Sequence, residues 1–354
     1  MHPRFVPLLL VSAVLAPAGC RSTKPTAGAP ADPGVTTVGT VERLDPALDA
    51  LVPPGARVEQ LAEGFAWAEG PVWRRAGQGG YVLFSDVPRN TIYRWEEGRG
   101  LTVFLRPSGY AAGTTPPGHE HGSNGLTVDS AGALVMADHG NRQIARLDDS
   151  LFTKTTLADR FEGRRLNSPN DLVFGPNGDL YFTDPPYGLR GQDADPAKEL
   201  PFSGVYRRTA AGALSLVTRE LTRPNGIALS PDGRTLYVAN SDPARAVVMA
   251  YDVAADGAVA GAPAARGRVL FDATPLVPRG PGLPDGLRVD RAGNLFATGP
   301  GGVLVLTAAG RHLGTIRTGK AAANCAFGDG GGTLYITATD RLLRVRLATR
   351  GAGF

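Results

Sequence analysis

Residues Asn170–Asp184 have the sequence NDLVFGPNGDLYFTD. Two short apolar runs flank an Asn-Gly pair, and Gly at that point supplies the positive φ of a tight hairpin turn. Because the second run returns antiparallel to the first, the stretch predicts a β-hairpin with polar residues at its open end.

The same pattern recurs along the chain as an Asn, Asp or Glu followed by an apolar run, a turn and a second apolar run. The six repeats begin at Glu69, Asn124, Asn170, Asn225, Asp285 and Asn324. A Gly lies eight residues after each start, at Gly77, Gly132, Gly178, Gly233, Gly293 and Gly332. The starts are 39 to 60 residues apart, which is typical of four-stranded propeller blades. We therefore predict an all-β fold, a six-bladed β-propeller, with a β-solenoid or an irregular sandwich as the alternatives.

The two ends of the propeller sequence complement each other. After Asn324 there is room for only three strands, which end near Leu347. The segment Ala56–Leu61, just before the first repeat, has a strand-like sequence and could supply the missing fourth strand. Because this pairing would leave no open edge, we predict that an N-terminal strand closes the last blade and that the propeller spans residues 51–354.

The N-terminus has the pattern of a targeting segment. A short basic stretch precedes an apolar run, Phe5–Ala18, that is too short for a comfortable membrane span. Small residues before Cys20 resemble a bacterial lipoprotein cleavage site, with ordinary secretion as the alternative. We predict a signal peptide at 1–20 and a Pro- and Ala-rich flexible linker at 21–50. The expected location is the cell envelope, periplasmic or anchored in the membrane through Cys20, and otherwise secreted.

Charge and cysteine content limit the partners. The 354 residues carry a formal net charge of +4 with no run or stripe of Lys and Arg, so we expect no nucleic-acid partner. The chain has only two Cys. With Cys20 acylated, Cys325 has no disulfide partner and is predicted to be a small buried apolar side chain.

The six repeat starts predict a cation site. The first strand of a propeller blade lines the central channel, so the starting residues should meet at one end of it. Two carboxylates, Glu69 and Asp285, would repel each other there unless a cation neutralised them. Ca²⁺ prefers six to eight oxygen ligands, whereas zinc is disfavoured because no His or Cys starts a repeat. We predict one divalent cation, Ca²⁺, with Mg²⁺ and Mn²⁺ as alternatives; strand-starting turns are the competing interpretation, which does not account for Glu69.

Further polar residues should surround the same opening, because the second strand of each hairpin returns to it. These residues include His139, Asp184 and Tyr187, and His121 lies in the loop that leads to Asn124. We predict catalytic roles for His139 and Asp184 beside Asp285. We predict that Asn124, Asn170, Tyr187 and His121 contact the substrate.

Four motifs resemble the gluconolactonase/regucalcin (senescence marker protein) family: Glu69–Trp73 (EGPVW), Leu166–Asp171 (LNSPND), Arg223–Gly226 (RPNG) and Pro284–Leu287 (PDGL). Two further stretches, His139–Arg142 (HGNR) and Tyr181–Gly188 (YFTDPPYG), resemble its bacterial gluconolactonase-like branch.

The resemblance implies a six-bladed propeller with one catalytic divalent cation. It implies metal ligands at Glu69, Asn225 and Asp285, a residue at Asn170 that reaches the metal or the substrate, and a proton acceptor at Asp285. Regucalcin-type members have a sugar-gripping Arg where this chain has Ser168, which weakens the expectation of a sugar lactone.

The resulting hypothesis is a metal-dependent hydrolase of a small-molecule lactone or related ester. The cation would polarise the carbonyl, and Asp285 would accept a proton from water. There is no Gly-x-Ser-x-Gly motif, so a serine-nucleophile esterase is unsupported. An arylesterase-like hydrolase and a non-catalytic envelope scaffold with a structural metal are the alternatives.

Overall fold

The computed structural model describes residues 1–2, 36–110 and 120–354. The predicted signal peptide beyond its first two residues, Cys20 and the linker up to residue 35 lie outside the described residues. The described residues from Thr36 to Phe354 belong to one compact unit. No helix within the described part of the chain is long and apolar enough to cross a membrane.

The described chain begins with three short strands and continues as six antiparallel sheets, numbered here as blades 1 to 6. The first strands are β1 (Thr36–Thr37), β2 (Thr40–Arg43) and β3 (Glu59–Glu63), with a 3₁₀ turn at Pro46–Ala50 between β2 and β3. Blade 1 contains β4 (Ala68–Ala76), β5 (Gly79–Asp86), β6 (Thr91–Glu96) and β7 (Gly100–Leu105). Blade 2 contains β8 (Ser123–Val128), β9 (Leu134–Asp138), β10 (Gln143–Asp148) and β11 (Thr153–Ala158).

A small hairpin, β12 (Arg160–Phe161) and β13 (Arg164–Arg165), separates blades 2 and 3. Blade 3 contains β14 (Leu172–Phe174), β15 (Leu180–Asp184), a 3₁₀ turn at Gln192–Ala194, β16 (Gly204–Arg208) and β17 (Leu214–Thr218). Blade 4 contains β18 (Pro224–Leu229), β19 (Thr235–Asp242), β20 (Arg245–Asp252) and β21 (Arg268–Asp272).

A 3₁₀ turn at Thr274–Arg279 leads from blade 4 to blade 5. Blade 5 contains β22 (Leu287–Val289), β23 (Leu295–Gly299), β24 (Gly302–Leu306) and β25 (His312–Arg317). Blade 6 contains β26 (Asn324–Gly328), β27 (Thr333–Ala338) and β28 (Arg341–Arg346).

The sheets form a closed six-bladed β-propeller, as predicted. Strands follow one another in chain order across blades 1 to 4, and blades 5 and 6 follow the same order except for N-terminal strands added at their outer edges. The first strands β4, β8, β14, β18, β22 and β26 contact their neighbours around a complete ring. The residues that start the repeats are therefore carried on or next to the strands that surround the central axis.

The N-terminal segment closes blade 6 with a small shift from the prediction. The closing strand is β3 at Glu59–Glu63 rather than Ala56–Leu61, and it pairs antiparallel with β28 through Glu63 and Arg341. Strand β1 adds a fifth strand beyond β3. The hydrogen bonds between β3 and β28 in blade 6 thus join the N-terminal and C-terminal parts of the propeller.

Part of the predicted linker is folded. Strand β2 pairs antiparallel with β25 and becomes the outermost strand of blade 5. The 3₁₀ turn that follows buries Leu48 completely against blade 5. The folded part of the chain therefore begins by Thr36, well before residue 51. The Pro-rich composition of this segment did not indicate that it would pair along the outer edge of blade 5.

The core lies between neighbouring blades rather than in one central cluster. In blade 3, Tyr181 packs towards blade 4, whereas Leu180 and Phe182 pack towards blade 2. This alternation is the two-residue period of a strand with apolar neighbours on both faces. Cys325 is fully buried between blades 5 and 6, which confirms its prediction as a small apolar side chain.

The repeated glycines serve the predicted hairpin turns in five blades. Gly77, Gly132, Gly178, Gly233 and Gly293 all have positive φ. In the turn between β26 and β27 of blade 6 the positive-φ residues are Asp329, Gly330 and Gly331, and Gly332 is not among them. The turn of that blade is therefore displaced towards the N-terminus, because Asp329-Gly-Gly already supplies the required backbone conformations.

Candidate active site

A cavity of about 580 Å³ opens at the end of the central channel where the repeats begin. It is lined by Trp67, Glu69, Glu120, Asn124, Asn170, Tyr187, Asn225, Ser241, Pro243, Val277, Gly280, Gly282, Leu283, Asp285, Ala321 and Ala322. Acidic and amide side chains form its floor, and Val277, Leu283 and Pro243 provide apolar surface. No Lys or Arg of the described residues lines it.

Five of the six repeat starts line this cavity, and Asn324 does not. Asn324 Oδ1 accepts a hydrogen bond from the backbone N–H of Cys325 at 2.8 Å. Its Nδ2 donates to Asp171 Oδ2 at 3.4 Å. The expected ring of six is therefore a ring of five, because the amide of blade 6 is turned to partners deeper in the channel.

The Gly after a repeat start has a role that turn chemistry did not predict. A Cβ on Gly226 would lie 2.1 Å from the carbonyl oxygen of Asp285, and one on Gly70 would lie 2.2 Å from that of Asn124. A Cβ on Gly286 would meet the side chain of Asn324 at 2.0 Å. These positions carry Gly because neighbouring blades touch there, through backbone atoms at Gly70 and Gly226 and through the Asn324 side chain at Gly286.

Three buried oxygens at the ring have no hydrogen-bond partner within the described structure: Asn124 Oδ1, Asn225 Oδ1 and Asp285 Oδ1. The amide nitrogen of Asn225 donates to Ser241 Oγ at 3.1 Å, which fixes its Oδ1 as the remaining acceptor. Unpaired buried acceptors are uncommon in folded proteins. Three of them on one cavity wall indicate a site for a donor or a cation.

Glu69 is held in place by its neighbours. The backbone N–H of Gly70 donates to Oε2 at 3.0 Å, and the indole N–H of Trp67 donates to Oε1 at 3.3 Å. Trp67 was not identified from the sequence, since it lies outside the repeat that singled out Glu69. Both carboxylate oxygens of Glu69 keep lone pairs for a further partner.

The carboxylates of the cavity repel one another, which raises their pKa values. Burial raises the pKa of Glu69, and the charges of Asp171 and Glu120 raise it further, against the two hydrogen bonds that lower it. Burial also raises the pKa of Asp285 well above its ordinary value, and the charges of Glu69 and Asp171 add to the rise. A bound cation would relieve both effects, because it favours the ionised carboxylates.

The donor set fits a hard divalent cation that takes oxygen ligands. Within the described residues there is no cluster of three or more His, Cys, Asp and Glu side chains able to hold a metal ion. A cation on the axis would therefore draw on amide oxygens as well as on Glu69 and Asp285. Asn124 and Asn225 line the same cavity, and their Oδ1 atoms have no hydrogen-bond partner within the described structure.

Asp171 is a buried carboxylate that the sequence interpretation missed. It is fully buried, and Oδ1 accepts from the N–H of Leu172 at 2.9 Å. Oδ2 lies 3.4 Å from Arg288 Nη1, from Asn324 Nδ2 and from the N–H of Ile227. The sequence did contain an indication of this role. Asp171 occupies the position where four other repeats have Gly, so a charged side chain is expected where neighbouring blades are in close contact.

Asp184 is fully buried and is not among the residues that line the cavity. Its two oxygens accept from the N–H groups of Asn167 at 2.7 Å and Ser168 at 2.8 Å. Burial raises the pKa of Asp184 to about 7, although these two hydrogen bonds lower it. This geometry gives Asp184 the task of holding the loop that carries Asn170, so we leave it out of the proton transfers proposed below.

Ser168 helps to hold the same loop in place. Its hydroxyl donates to the carbonyl of Pro185 at 2.6 Å and accepts from the N–H of Gly188 at 2.9 Å. It does not line the cavity. Ser168, which the sequence analysis noted in place of the sugar-gripping Arg of regucalcin-type proteins, therefore has a structural role in this chain.

The other predicted residues divide between the wall and its support. Tyr187 lines the cavity beside Asn225 and Ser241, and burial raises its pKa. His139 is buried behind the wall with Nδ1 2.9 Å from Glu120 Oε2, and Glu120 lines the cavity. The backbone carbonyl of His121 accepts from the N–H of Tyr110, and its side chain is not part of the wall.

Comparison with known proteins points to one family. A family model described as the SMP-30/gluconolactonase/LRE-like region matches residues 67–340. A gluconolactonase of Zymomonas mobilis is 40% identical over 321 residues, which cover 89% of this chain and 88% of that protein.

Solved structures agree with the sequence match. A gluconolactonase of Xanthomonas campestris superposes with a TM-score of 0.74 at 32% identity, over 90% of this chain and 99% of that one. The calcium-binding protein regucalcin of Agrobacterium tumefaciens shares the fold, with a TM-score of 0.63 at 19% identity, over 83% of this chain and 94% of that one.

Proposed function

The chain belongs to the SMP-30/gluconolactonase/LRE-like family, and from that premise we propose that it hydrolyses a lactone with the help of one divalent cation. A lactonase-type hydrolase is the activity that its relatives support. The cation and the roles of individual residues are the parts that we add.

Glu69, Asn170, Asn225 and Asp285 are the proposed metal ligands. All four line the cavity, and they come from four different blades. A bound divalent cation supplies Lewis-acid polarisation of the lactone carbonyl and stabilises charge on its oxygen. Ca²⁺ is the proposed ion because oxygens alone, two of them amides, surround the position, with Mg²⁺ and Mn²⁺ as alternatives.

Asp285 is the proposed proton acceptor for the attacking water. One of its oxygens has no hydrogen-bond partner within the described chain, so that oxygen can receive a water molecule in the cavity. Asn124, Asn170 and Tyr187 lie around the same space and can orient a lactone by hydrogen bonds. Val277 and Leu283 can cover the ring carbons and exclude water from that side.

The observation that carries the proposal is the set of three unpaired buried oxygens on Asn124, Asn225 and Asp285. Acceptor oxygens that have no protein partner and line one open cavity are available to a bound cation or to the donors of a substrate. A metal-binding hydrolase uses such atoms as ligands for the cation or as contacts for the substrate.

Chelation tests the metal. EDTA-treated protein should lose lactone hydrolysis and melt at a lower temperature, and Ca²⁺ should restore both, since binding to the folded state alone stabilises it. Activity that survives exhaustive chelation would contradict the proposal. A lower melting temperature without turnover of any lactone or phenyl ester, before or after adding metal, would favour the scaffold alternative.

The variant Asp285→Asn tests the residue roles. It keeps the side-chain shape and removes the proton acceptor, so kcat/KM should fall by about 10²–10⁴-fold. Asp232→Asn is the matched control, because Asp232 is exposed in the hairpin turn of blade 4. Equal activity of the two variants would remove Asp285 from the mechanism.

The envelope location is a separate proposal. Residues 1–20 remain a predicted signal peptide, with Cys20 as the anchoring residue. Cell fractionation with the Cys20→Ala variant tests it: the variant should move from the membrane fraction to the soluble envelope fraction.

A further inference from the structure

Seven of the sixteen residues that line the cavity have no polar side-chain atom. They come from blade 4, from its connection to blade 5 and from the segment that leads into blade 6. We call them the apolar sector: Pro243, Val277, Gly280, Gly282, Leu283, Ala321 and Ala322. Two of its parts are in direct contact, since a Cβ on Gly282 would lie 3.6 Å from the Cα of Ala321.

The loop at the centre of the apolar sector is packed tightly against blade 5. The N–H of Gly301 donates to the carbonyl of Pro281 at 2.7 Å. A Cβ on Gly280 would lie only 2.9 Å from the Cα of Gly301, so the two backbones touch. This packing presents Val277 and Leu283 to the cavity on a backbone that is already ordered, which lowers the cost of binding a ligand there.

The hydroxyl group that borders the apolar sector is already engaged. Ser241 lies near the end of β19, two residues before Pro243. Its hydroxyl donates to the carbonyl of Pro284 and accepts from Asn225 Nδ2 at 3.1 Å. A hydroxyl group of a substrate that lay against the sector would give up its water for apolar side chains, and an unpaired polar group is costly to bury.

The described wall also has no cationic side chain for an anionic substituent. Glu69, Glu120 and Asp285 line the cavity, whereas no Lys or Arg of the described residues does. The cation of the proposed function is committed to the lactone carbonyl. A phosphate or carboxylate elsewhere on the substrate would therefore meet like charges in the wall.

We propose that the apolar sector binds the hydrocarbon part of the substrate, so that the enzyme acts on uncharged lactones whose ring carries an alkyl substituent; this rests on the lactone hydrolysis proposed above. The carbonyl lies on the side of Glu69 and Asp285, and the substituent lies against Val277 and Leu283. The cavity of about 580 Å³ is within the range of roughly 300–1,000 Å³ typical of sites that enclose a small molecule. It therefore has room for a substituent beside the ring.

The test measures kcat/KM of the metal-loaded enzyme on δ-lactones with a methyl, propyl or pentyl substituent and on glucono-δ-lactone, corrected for spontaneous hydrolysis. Burial of one CH₂ group contributes about 0.8 kcal/mol, which corresponds to roughly fourfold in kcat/KM. We expect a rise of about two- to fourfold for each added CH₂, the lower figure applying where half of the group stays in water. The pentyl lactone should be a better substrate than glucono-δ-lactone, whose ring carries hydroxyl groups instead.

Leu283→Asn and Val277→Thr test the apolar sector itself. Both variants keep the approximate size of the side chain and add polar atoms. The ratio of kcat/KM for the pentyl lactone to that for the methyl lactone should fall by about tenfold in Leu283→Asn and should fall in Val277→Thr as well. Leu151→Asn is the matched control, because Leu151 is 70% exposed and lies between β10 and β11 of blade 2; its ratio should equal that of the wild type.

This ratio separates selectivity from folding, because a loss of folded protein lowers both activities equally. A wild-type kcat/KM that does not rise with substituent length, or that is higher for glucono-δ-lactone than for the pentyl lactone, overturns the proposed substrate class and leaves lactone hydrolysis standing. Unchanged ratios in both Leu283→Asn and Val277→Thr overturn the role of the apolar sector. A wild-type enzyme that hydrolyses none of the four lactones overturns the proposed function itself.

Discussion

Gly226→Ala should loosen the ring at the point where blades 4 and 5 touch. A Cβ there would lie 2.1 Å from the carbonyl oxygen of Asp285, 2.8 Å from its carbonyl carbon and 2.7 Å from the Cα of Gly286. All three are backbone atoms, so no side-chain rotation can relieve the contact. An ordinary carbon contact is about 3.5 Å, and the two blades must therefore move apart by roughly 1 Å.

Forced separation of this kind costs about 1–3 kcal/mol, and we expect the upper part of that range because the backbone itself must shift. Thermal unfolding should show a melting temperature lower by roughly 5 °C. Lactone hydrolysis should fall as well, because the displaced residue is Asp285. Metal affinity, measured by titration of the chelated protein, should weaken in parallel.

Gly79→Ala is the matched control for this variant. A Cβ on Gly79 would meet no heavy atom within 4 Å, so its effect on stability should stay within about 0.5 kcal/mol. Identical melting temperatures and identical activities for Gly226→Ala and Gly79→Ala would refute the reasoning that inter-blade contact sets the geometry of the site.

Two further predictions concern residues outside the cavity wall. Leu48→Ala should destabilise the protein by about 2–5 kcal/mol, because Leu48 is fully buried against blade 5. Leu44→Ala is the control, since that side chain is 56% exposed. Equal urea unfolding midpoints for the two variants would mean that the segment acts as a linker after all. Burial raises the pKa of Asp184 to about 7 from 3.8. Between these pH values the folded state therefore keeps a proton that the unfolded chain releases. The free energy of unfolding should fall by roughly 4 kcal/mol as the pH rises from about 4 to about 7. Asp184→Asn should flatten this dependence, which urea unfolding at several pH values measures, and an unchanged slope would exclude Asp184 as its source.

The sequence by itself determined the number of blades and the end of the channel where the site lies. Six repeats of a polar start, two apolar runs and a Gly are local patterns, and local patterns are set by turn chemistry and by the two-residue period of strands. They placed Glu69, Asn124, Asn170, Asn225 and Asp285 at one opening, which is where the structure has them. The closing strand was found for the same reason, with its limits shifted by two to three residues.

The tertiary structure alone decided which polar residues face the cavity. Asn324 follows the repeat pattern and is nevertheless turned towards Asp171, because orientation depends on a partner 153 residues away in the chain. Asp184 and Ser168 hold a loop in place, and Glu120 on the cavity wall contacts the buried His139. Strand β2, in a segment of linker-like composition, is held by pairing with β25, some 270 residues later. Such contacts join groups that are distant in sequence, and a repeat read along the chain carries no information about which distant group will be the neighbour.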